Sequence, residues 1–457
     1  MATIEKRGNT YRITVSAGYD MNGKQVRHKM TYVPDGTLTP RKLEKEVKHQ
    51  AELFEERVKN GQYVDSNIKF AEFADKWANE YASSRLSPTT LHRYIGCFKR
   101  INAAIGHRRI DRIQPQHLNA FYNNLQEIGI REDIKYKLGK DIKPIMKEKD
   151  LKQYELAELS EVAISSLRKA MNGANVAKPT AEKICAALGV PMKDYFIIAE
   201  EQKPLDNATI AVYHHVISSI FSTAVQWQVI AANPCDRIKP PKSEQKEAAY
   251  FDEAEALQVV ECLKAEPILY RALFSLVLYT GMRRGEALGL TWKDIDLNKG
   301  IVDINKSNLY VPDKGIFEHE TKTKKSTRVI SIPSAAVDVL KEYKAYQSKM
   351  RLKLGELWQG SNRVFTTEEG APLHPDTATK YYRKFAKRNG LTNTKLHALR
   401  HTNATLMIAN GTDIKTVSKR LGHANITTTG NIYTHAIQEA DERAAEALND
   451  IFAKKKA

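Results

Sequence analysis

Cysteine is scarce in this chain of 457 residues, and the four that it has, Cys97, Cys185, Cys235 and Cys262, stand far apart. Neither the paired spacing of a zinc site nor the clustered pattern of a disulfide scaffold is present. Long apolar runs are also missing, because the longest, around 272–279, is far shorter than the roughly 20 residues that span a bilayer. With no secretory signal in sight, the sequence predicts a soluble protein of the reducing cytoplasm that has no membrane partner.

Acidic residues are outnumbered by basic ones, with 54 Asp and Glu against 71 Lys and Arg, so the formal net charge is +17. A polyanion whose counterions are released on binding is the natural partner of such a surface, and nucleic acid is the first expectation. The length exceeds what one hydrophobic core organises, which predicts about three domains.

Residues 1–36 predict a small twisted sheet, since apolar and polar side chains alternate on both sides of a turn at 20–23. Basic residues outnumber acids within it, and Arg12 and Arg27 are candidates for contact with a DNA groove; a solvated hairpin is the equal alternative. Residues 37–66 predict a connector helix that begins at Thr39-Pro40, where proline suits the first turn.

Residues 67–128 and 204–234 predict one helical domain whose last helix follows an interruption. Ser87 before proline predicts a helix start, and the face of that helix opposite its apolar stripe carries Arg93, Lys99 and Arg100, as a helix docked on phosphates would. A solvated charged face is the alternative. A stiff basic linker, 235–243, then precedes the last domain, 244–457.

The interruption, residues 129–203, resembles the lambda-repressor-like helix-turn-helix, with its second helix at about Ala163 to Met171. Glu161 stands where that family usually has a turn glycine, and an acid there would weaken the turn and be repelled by phosphate. Reading of DNA bases, contact with a protein and a vestigial role are therefore all open for this segment.

The last domain carries a series of residues suited to phosphate chemistry. A glycine-marked corner can expose Arg283, with Glu286 placed to hold its guanidinium, and a second arginine would complete a fork around phosphate oxygens that lysine cannot copy. Each member alone has an ordinary explanation as a salt bridge, a cap or a core residue. In chain order the series is Arg283, Lys322, His397, Arg400, His423 and Tyr433.

Together these residues resemble the tyrosine recombinase (phage integrase) family, from Tyr250 to the end of the chain and more loosely before it. The resemblance implies a multidomain, mainly α fold with small β-sheets. Its parts would be a three-stranded arm-binding sheet, a helical core-binding domain that contains the inserted helix-turn-helix, and a mixed α+β catalytic domain.

The resemblance also implies roles. Arg283 and Arg400 would bind the nonbridging oxygens of the scissile phosphate, and His397 and His423 would add hydrogen bonds. Tyr433 would attack phosphorus to form a 3′-phosphotyrosyl link, since surrounding cations lower the cost of charging a phenol.

Lys322 would protonate the departing 5′ oxygen, although two neighbouring lysines compete for that role in the same turn. The family pattern selects Arg283 rather than Arg284, and His401 and His435 are interpreted as packing or capping groups. No cofactor and no metal are expected, because the cleaved bond is conserved as a phosphodiester and the sequence has neither a phosphate-binding GxxxxGK[ST] loop nor an acidic triad.

The expected partners are double-stranded DNA at core and arm sites, further copies of the chain in a tetramer, and a DNA-bending accessory protein or excisionase. An apolar stripe over 437–452 needs a partner surface, which the resemblance implies is a neighbouring protomer; docking on the same chain is the alternative. The expected function is site-specific integration and excision of a phage or integrative element in the nucleoid of a bacterial host.

Two other functions compete with recombination. A transcription regulator would use only the inserted helix-turn-helix, and the complete reactive set argues against it. A type IB topoisomerase would share the chemistry but would have no use for an arm-binding sheet.

Overall fold

The computed structural model describes residues 2–19, 23, 25–34, 39–59, 68–131, 133–199, 203–243, 249–320, 327–433 and 445. The chain forms two compact units, Met1–Glu244 and Gln245–Ala457. Helices dominate both, and the sheets are small and antiparallel, so the predicted fold class is confirmed.

The first unit begins with strands β1 (Thr3–Arg7), β2 (Thr10–Tyr19) and β3 (Gln25–Tyr32), which pair in that order. Helix α1 (Pro40–Lys59) starts at the proline, as predicted. Its apolar stripe, including the buried Phe54, packs against Ile13 of β2. The helix is therefore not a free connector, because the stripe that defines it covers one face of the sheet.

The opposite face of this sheet is cationic. Side chains alternate along β2, so Arg12 and Ser16 point away from the face on which Ile13 packs against α1. Arg27 lies directly opposite Ser16, and Lys29 lies two residues further along β3. Partners in antiparallel register share a face, so these three cations lie on the side that α1 leaves uncovered.

The remaining helices and strands of the first unit follow in chain order. They are α2 (Phe70–Lys76), the π-helical turn Trp77–Ala82, α3 (Ser83–Arg85), α4 (Pro88–Ile101), the π-helical turn Asn102–Gly106, the 3₁₀ turn Ile110–Arg112, α5 (Pro115–Leu125), β4 (Lys135–Leu138), α6 (Lys143–Glu148), α7 (Gln153–Leu159), α8 (Ile164–Met171), β5 (Val176–Ala177), α9 (Lys178–Leu188), α10 (Met192–Tyr195), β6 (Phe196–Ile198), α11 (Asn207–Gln226) and the 3₁₀ turn Pro234–Arg237.

One hydrophobic core unites α2, α4, α5 and α11, although about 80 residues separate the last two in the chain. The Ser87 side chain accepts a hydrogen bond from the backbone N–H of Thr90 and caps α4 as predicted. Helix α11 is long and apolar enough to cross a membrane by length and composition alone. Its apolar side chains instead fill this core, and Trp77 donates a hydrogen bond of 3.0 Å to Thr223 on it.

The segment between α5 and α11 has a core of its own, built by α6 to α9 and the strands β5, β4 and β6, which pair in that order. The second helix of the predicted pair, α8, begins after Ala163 and ends at Met171 as expected. The three short strands were not predicted. Glu161 has a φ of +50°, so it does adopt the left-handed turn that glycine favours, at a cost of about 1 kcal/mol.

Besides 3₁₀ turns at Trp292–Asp294 and Gly355–Leu357, the second unit contains eight α-helices and five strands within its described residues. They are α12 (Glu253–Lys264), α13 (Ile268–Thr280), α14 (Arg284–Gly289), β7 (Ile295–Asp296), β8 (Ile301–Ile304), β9 (Lys306–Val311), β10 (Gly315–Glu320), β11 (Arg328–Ser331), α15 (Ser334–Leu354), α16 (Pro375–Arg388), α17 (His397–Ala409), α18 (Ile414–Leu421) and α19 (Ile426–Ile432).

The sheet of this unit has the order β11-β8-β7, and β9 and β10 form a separate hairpin. The side chain of Asp296 accepts hydrogen bonds of 3.0 Å from the backbones of Asn298 and Lys299, in the turn before β8. Helix α13 is buried at the centre of the core, and its C-terminal end lies at the candidate site.

Candidate active site

Five of the six predicted catalytic residues lie in the described part of the second unit, at the ends of helices. Arg283 immediately precedes α14, His397 and Arg400 occupy the first turn of α17, and His423 and Tyr433 follow α18 and α19. The sixth, Lys322, lies outside the described residues, as do the two lysines that compete with it.

Arg400 is held by the carbonyl groups at the ends of two helices. Its side chain donates to the carbonyl oxygen of Gly281 at 2.6 Å and to that of Leu421 at 2.9 Å. Gly281 ends α13 with a φ of +66°, and a Cβ there would lie 2.7 Å from Asn403 Oδ1. Helix ends leave such carbonyls without intrahelical partners, so they are well suited to hold a guanidinium that is only 2% exposed.

Arg283 is fixed by Glu286, as the sequence predicted. Its Nη1 lies 2.9 Å from Glu286 Oε1, and its backbone N–H donates to Glu286 Oε2 at 2.8 Å. The same Oε2 accepts from Arg328 Nη2 at 2.8 Å, and Arg328 also donates to the carbonyl of Arg420 at 2.6 Å. Arg328 was not identified from the sequence, because an isolated arginine at the start of a strand carries no distinguishing pattern.

The side chain of Arg284 contacts α16 and not Glu286, unlike that of Arg283. Its guanidinium donates to Thr379 Oγ1 at 2.6 Å and to the carbonyl of Pro375 at 3.2 Å, which ties α14 to the start of α16. Because these bonds serve the packing of two helices, Arg283 remains the better candidate for binding a phosphate.

His423 lies between Arg400 and Thr429 and contacts both of them. Its Nε2 lies 2.9 Å from Arg400 Nη2 and its Nδ1 lies 2.8 Å from Thr429 Oγ1. Burial, reinforced by Arg400 and Arg283, lowers the pKa of His423 to about 4, so the imidazole is neutral at pH 7. A guanidinium only donates, so Nε2 accepts from Arg400 and Nδ1 carries the proton toward Thr429.

Tyr433 is 3% exposed and packs with Ala404, Val417 and Leu421. Its hydroxyl lies 2.9 Å from His401 Nδ1. Burial raises the pKa of Tyr433 to about 12, against the opposing effect of the nearby arginines, so the phenol is protonated at neutral pH.

His401 had been interpreted as a packing or capping group, and its contact with Tyr433 was missed. The spacing of His397 and His401 is a signal that could have found it, because residues four apart share one face of a helix. Their rings pack edge to face with centroids 4.6 Å apart. Burial, with Arg400 and Arg283, also lowers the pKa of His397 to about 4. His435 lies outside the described residues.

A pocket of about 260 Å³ opens beside His397 and Arg400. Arg284, Arg383 and Lys395 also line it, and no carboxylate does. This excess of positive charge suits an anion, but Arg283, His423 and Tyr433 do not line the pocket, so it adjoins the candidate site without containing the nucleophile. In the described part of the chain, no group of three or more His, Cys, Asp or Glu residues is arranged to hold a metal ion.

Comparison with protein families matches three segments of the chain. Residues 249–440 match the model described as the phage integrase family, and residues 69–126 match the N-terminal SAM-like domain of phage integrases. Residues 142–195 match a helix-turn-helix model, which agrees with the inserted segment.

Individual relatives point the same way. A XerC-like tyrosine recombinase of Caldanaerobacter subterraneus is 28% identical over 462 aligned residues, which cover 97% of this chain and 96% of that protein. The ICEBs1 integrase of Bacillus subtilis is 28% identical over 54% of this chain and 67% of its own length. Among solved structures, the Tn1549 transposon integrase in complex with a circular intermediate DNA has a similar fold. Its TM-score is 0.56 at 16% identity, and the match covers 83% of this chain and 99% of that one.

Proposed function

The chain belongs to the phage integrase family of tyrosine recombinases, and from that membership we propose that it is a site-specific DNA recombinase. It would integrate and excise a phage or integrative element through a covalent tyrosine intermediate. The observation that carries the proposal is the meeting, in one unit, of a buried phenol with an anion-binding cluster in which Arg400 contacts His423. Such a cluster offers charge and hydrogen-bond donors where a phosphorus transition state needs them.

In this mechanism Arg283 and Arg400 bind the nonbridging oxygens of the scissile phosphate, and His397 adds a hydrogen bond. His423 adds one from Nε2 once the phosphate replaces its contact with Arg400 and the proton moves to that nitrogen. The Tyr433 oxygen attacks phosphorus, the bond from phosphorus to the 5′ oxygen breaks, and Lys322 supplies a proton to that oxygen. The 3′-phosphotyrosyl link conserves the energy of the bond, so a 5′ hydroxyl of another strand can reverse the step.

We propose that the other domains place this site on DNA. Arg12 and Arg27, on the face that α1 leaves uncovered, suit arm-type DNA, while Arg93 and Lys99 on α4 suit the core site. Arg100 stays a predicted DNA contact, although its guanidinium also donates to the carbonyl of Ile130 at 2.8 Å.

The proposal extends to the assembly and its setting. The active form would be a tetramer on double-stranded DNA, in the cytoplasm and nucleoid of a bacterial host, with a bending protein or an excisionase as an accessory partner. The predicted exchange of the segment 437–457 between protomers lies outside the described residues, apart from position 445, and stays a prediction.

The arm-binding role predicts a change in salt dependence. Exchanging Arg12 and Arg27 for glutamine should lower the slope of log K against log salt by about 0.9 for each phosphate that the protein no longer neutralises, measured on DNA from the ends of the element. Lys45→Gln with Lys48→Gln is the matched control, because it removes the same charge from exposed positions on α1. Equal slopes for the two double variants would contradict the proposed arm face.

The recombinase activity is tested with a nicked duplex that carries the core site. Cleavage near the nick releases a short strand, which traps the protein on DNA as an adduct that survives denaturation. A second assay follows strand exchange between two such sites. We expect both an adduct and exchange. An adduct with relaxation of site-free supercoiled DNA but no exchange would indicate a topoisomerase, and binding without an adduct would indicate a regulator.

A further inference from the structure

We propose that His401 is a further catalytic residue, which accepts the phenolic proton of Tyr433 as the tyrosine oxygen attacks phosphorus. The proposal rests on the recombinase function and identifies the base that this function requires.

The geometry places His401 in contact with the reacting atom. Its Nδ1 lies 2.9 Å from the Tyr433 hydroxyl, within the reach that proton transfer requires. Within the described residues, the contact with His401 is the hydrogen bond of the Tyr433 hydroxyl. The Tyr433 side chain is buried. Helix α17 carries His401 one residue after Arg400, so the same turn that binds phosphate also presents the imidazole to the nucleophile.

The neighbouring groups are poor alternatives as proton acceptors. A guanidinium has only donors, which excludes Arg400. Both ring nitrogens of His423 are already engaged, one by Arg400 and the other by Thr429. His397 packs against the His401 ring rather than on the tyrosine, so its effect on the phenol passes through His401.

The protonation states of the pair allow transfer in this direction, because a neutral imidazole faces a neutral phenol, although the difference between their pKa values opposes the transfer in the free protein. Burial, with His397 and Arg400 nearby, lowers the pKa of His401 to about 4, so at pH 7 its Nδ1 holds a free lone pair if Nε2 carries the proton. The phenol is a neutral donor at the same pH. When the anionic phosphate occupies the cluster, its charge favours the imidazolium that forms, which offsets the effect of the arginines.

The step balances without any other reagent. As the bond between the Tyr433 oxygen and phosphorus forms, the phenolic proton moves to His401 Nδ1 and the bond from phosphorus to the 5′ oxygen breaks. The departing oxygen takes its proton from a separate group, for which Lys322 is the candidate. In the reverse step a 5′ hydroxyl attacks phosphorus, and the imidazolium returns its proton to the leaving phenolate.

The test measures single-turnover formation of the covalent adduct on the nicked core-site duplex. His401→Ala should lower the rate by about 100-fold or more, the scale for loss of a general base. His401→Asn is the second variant, because its amide can hold the hydroxyl but cannot take a proton, and it should be equally slow. The exposed His49 provides the control, since His49→Ala should match the wild type.

Two further measurements separate a base from a structural role. Replacing the 5′ bridging oxygen by sulfur gives a leaving group that needs no proton, so it should rescue Lys322→Ala and leave His401→Ala slow. Added imidazole should rescue His401→Ala, and a series of substituted imidazoles should rescue it faster as the base becomes stronger.

Several outcomes would overturn the assignment. The first is adduct formation at the wild-type rate, or faster, in His401→Ala or His401→Asn; a faster rate would mean that His401 restrains the tyrosine. The second is rescue of His401→Ala by the sulfur leaving group. The third is a His401→Ala protein that binds the duplex but does not respond to added imidazole. If the wild type itself forms no adduct, or Tyr433→Phe still does, the recombinase proposal fails instead.

Discussion

Replacing Tyr433 with phenylalanine should abolish the covalent intermediate while the protein continues to bind its core site. The change removes only the hydroxyl, and the ring keeps its packing against Ala404 and Leu421. Loss of a nucleophile costs on the order of 10⁶-fold in rate, which is beyond detection for an adduct on a denaturing gel. The missing hydrogen bond to His401 should lower the unfolding free energy by only about 1 kcal/mol, so the defect is one of chemistry.

Tyr381→Phe is the matched control for this prediction. The Tyr381 hydroxyl donates a hydrogen bond of 2.7 Å to Glu266, so the variant also loses one hydrogen-bonded phenol from the same unit. It should form adduct at the wild-type rate. If Tyr433→Phe still produced an adduct, another hydroxyl would be the nucleophile and the cluster around Arg400 would need a different explanation.

The sequence could indicate the proposed catalytic series because phosphoryl transfer to tyrosine restricts residue types strongly. Two guanidinium groups, imidazoles and a phenol in a fixed chain order leave few other interpretations, and the corner at Gly281 indicates where the first arginine emerges. Local patterns also predicted helix starts, such as Pro40 and Ser87, because caps depend on neighbours in the chain.

Other features depend on contacts between distant segments, and the sequence does not display them. The carbonyls of Gly281 and Leu421 meet Arg400 only after α13, α17 and α18 have packed together. His401 resembles any helical histidine until the turn after α19 brings Tyr433 to it. The short strands of the inserted segment have too few residues for a clear alternation, so that sheet escaped prediction.

The buried carboxylate of Glu286 should be hard to replace, because it holds two arginines at once. Its oxygens accept from the side chain and backbone of Arg283 and from Arg328, at 2.8–2.9 Å. Glutamine has the same shape, but its NH₂ group would face an N–H donor at whichever oxygen it replaced. Removing the anion also breaks the buried ion pair between Glu286 and Arg328.

We therefore expect Glu286→Gln to lower the unfolding free energy of the second unit by about 3 kcal/mol, the scale for breaking a buried ion pair. Hydrogen exchange of α13 and α14 in the full chain should report the loss. Adduct formation should also slow markedly, because Arg283 loses the groups that aim it.

The pH dependence of stability gives an independent check on Glu286. Burial alone raises the pKa of Glu286, but the bonds and charges of Arg328 and Arg283 outweigh burial, and the net pKa is lowered below its ordinary value of 4.5. The carboxylate therefore contributes its full stability above that value, and the contribution is lost as the pH falls through the lower folded pKa. The Gln variant should lack this part of the acid dependence.

Glu266→Gln is the control that isolates the geometry. Glu266 is also buried and accepts from Tyr381 and Arg388, but a hydroxyl can accept as well as donate, so a glutamine NH₂ finds a partner there. We expect a smaller loss of stability and a normal adduct. If the two variants were equally stable and equally active, Glu286 would not be the group that holds Arg283 and Arg328 in position for catalysis.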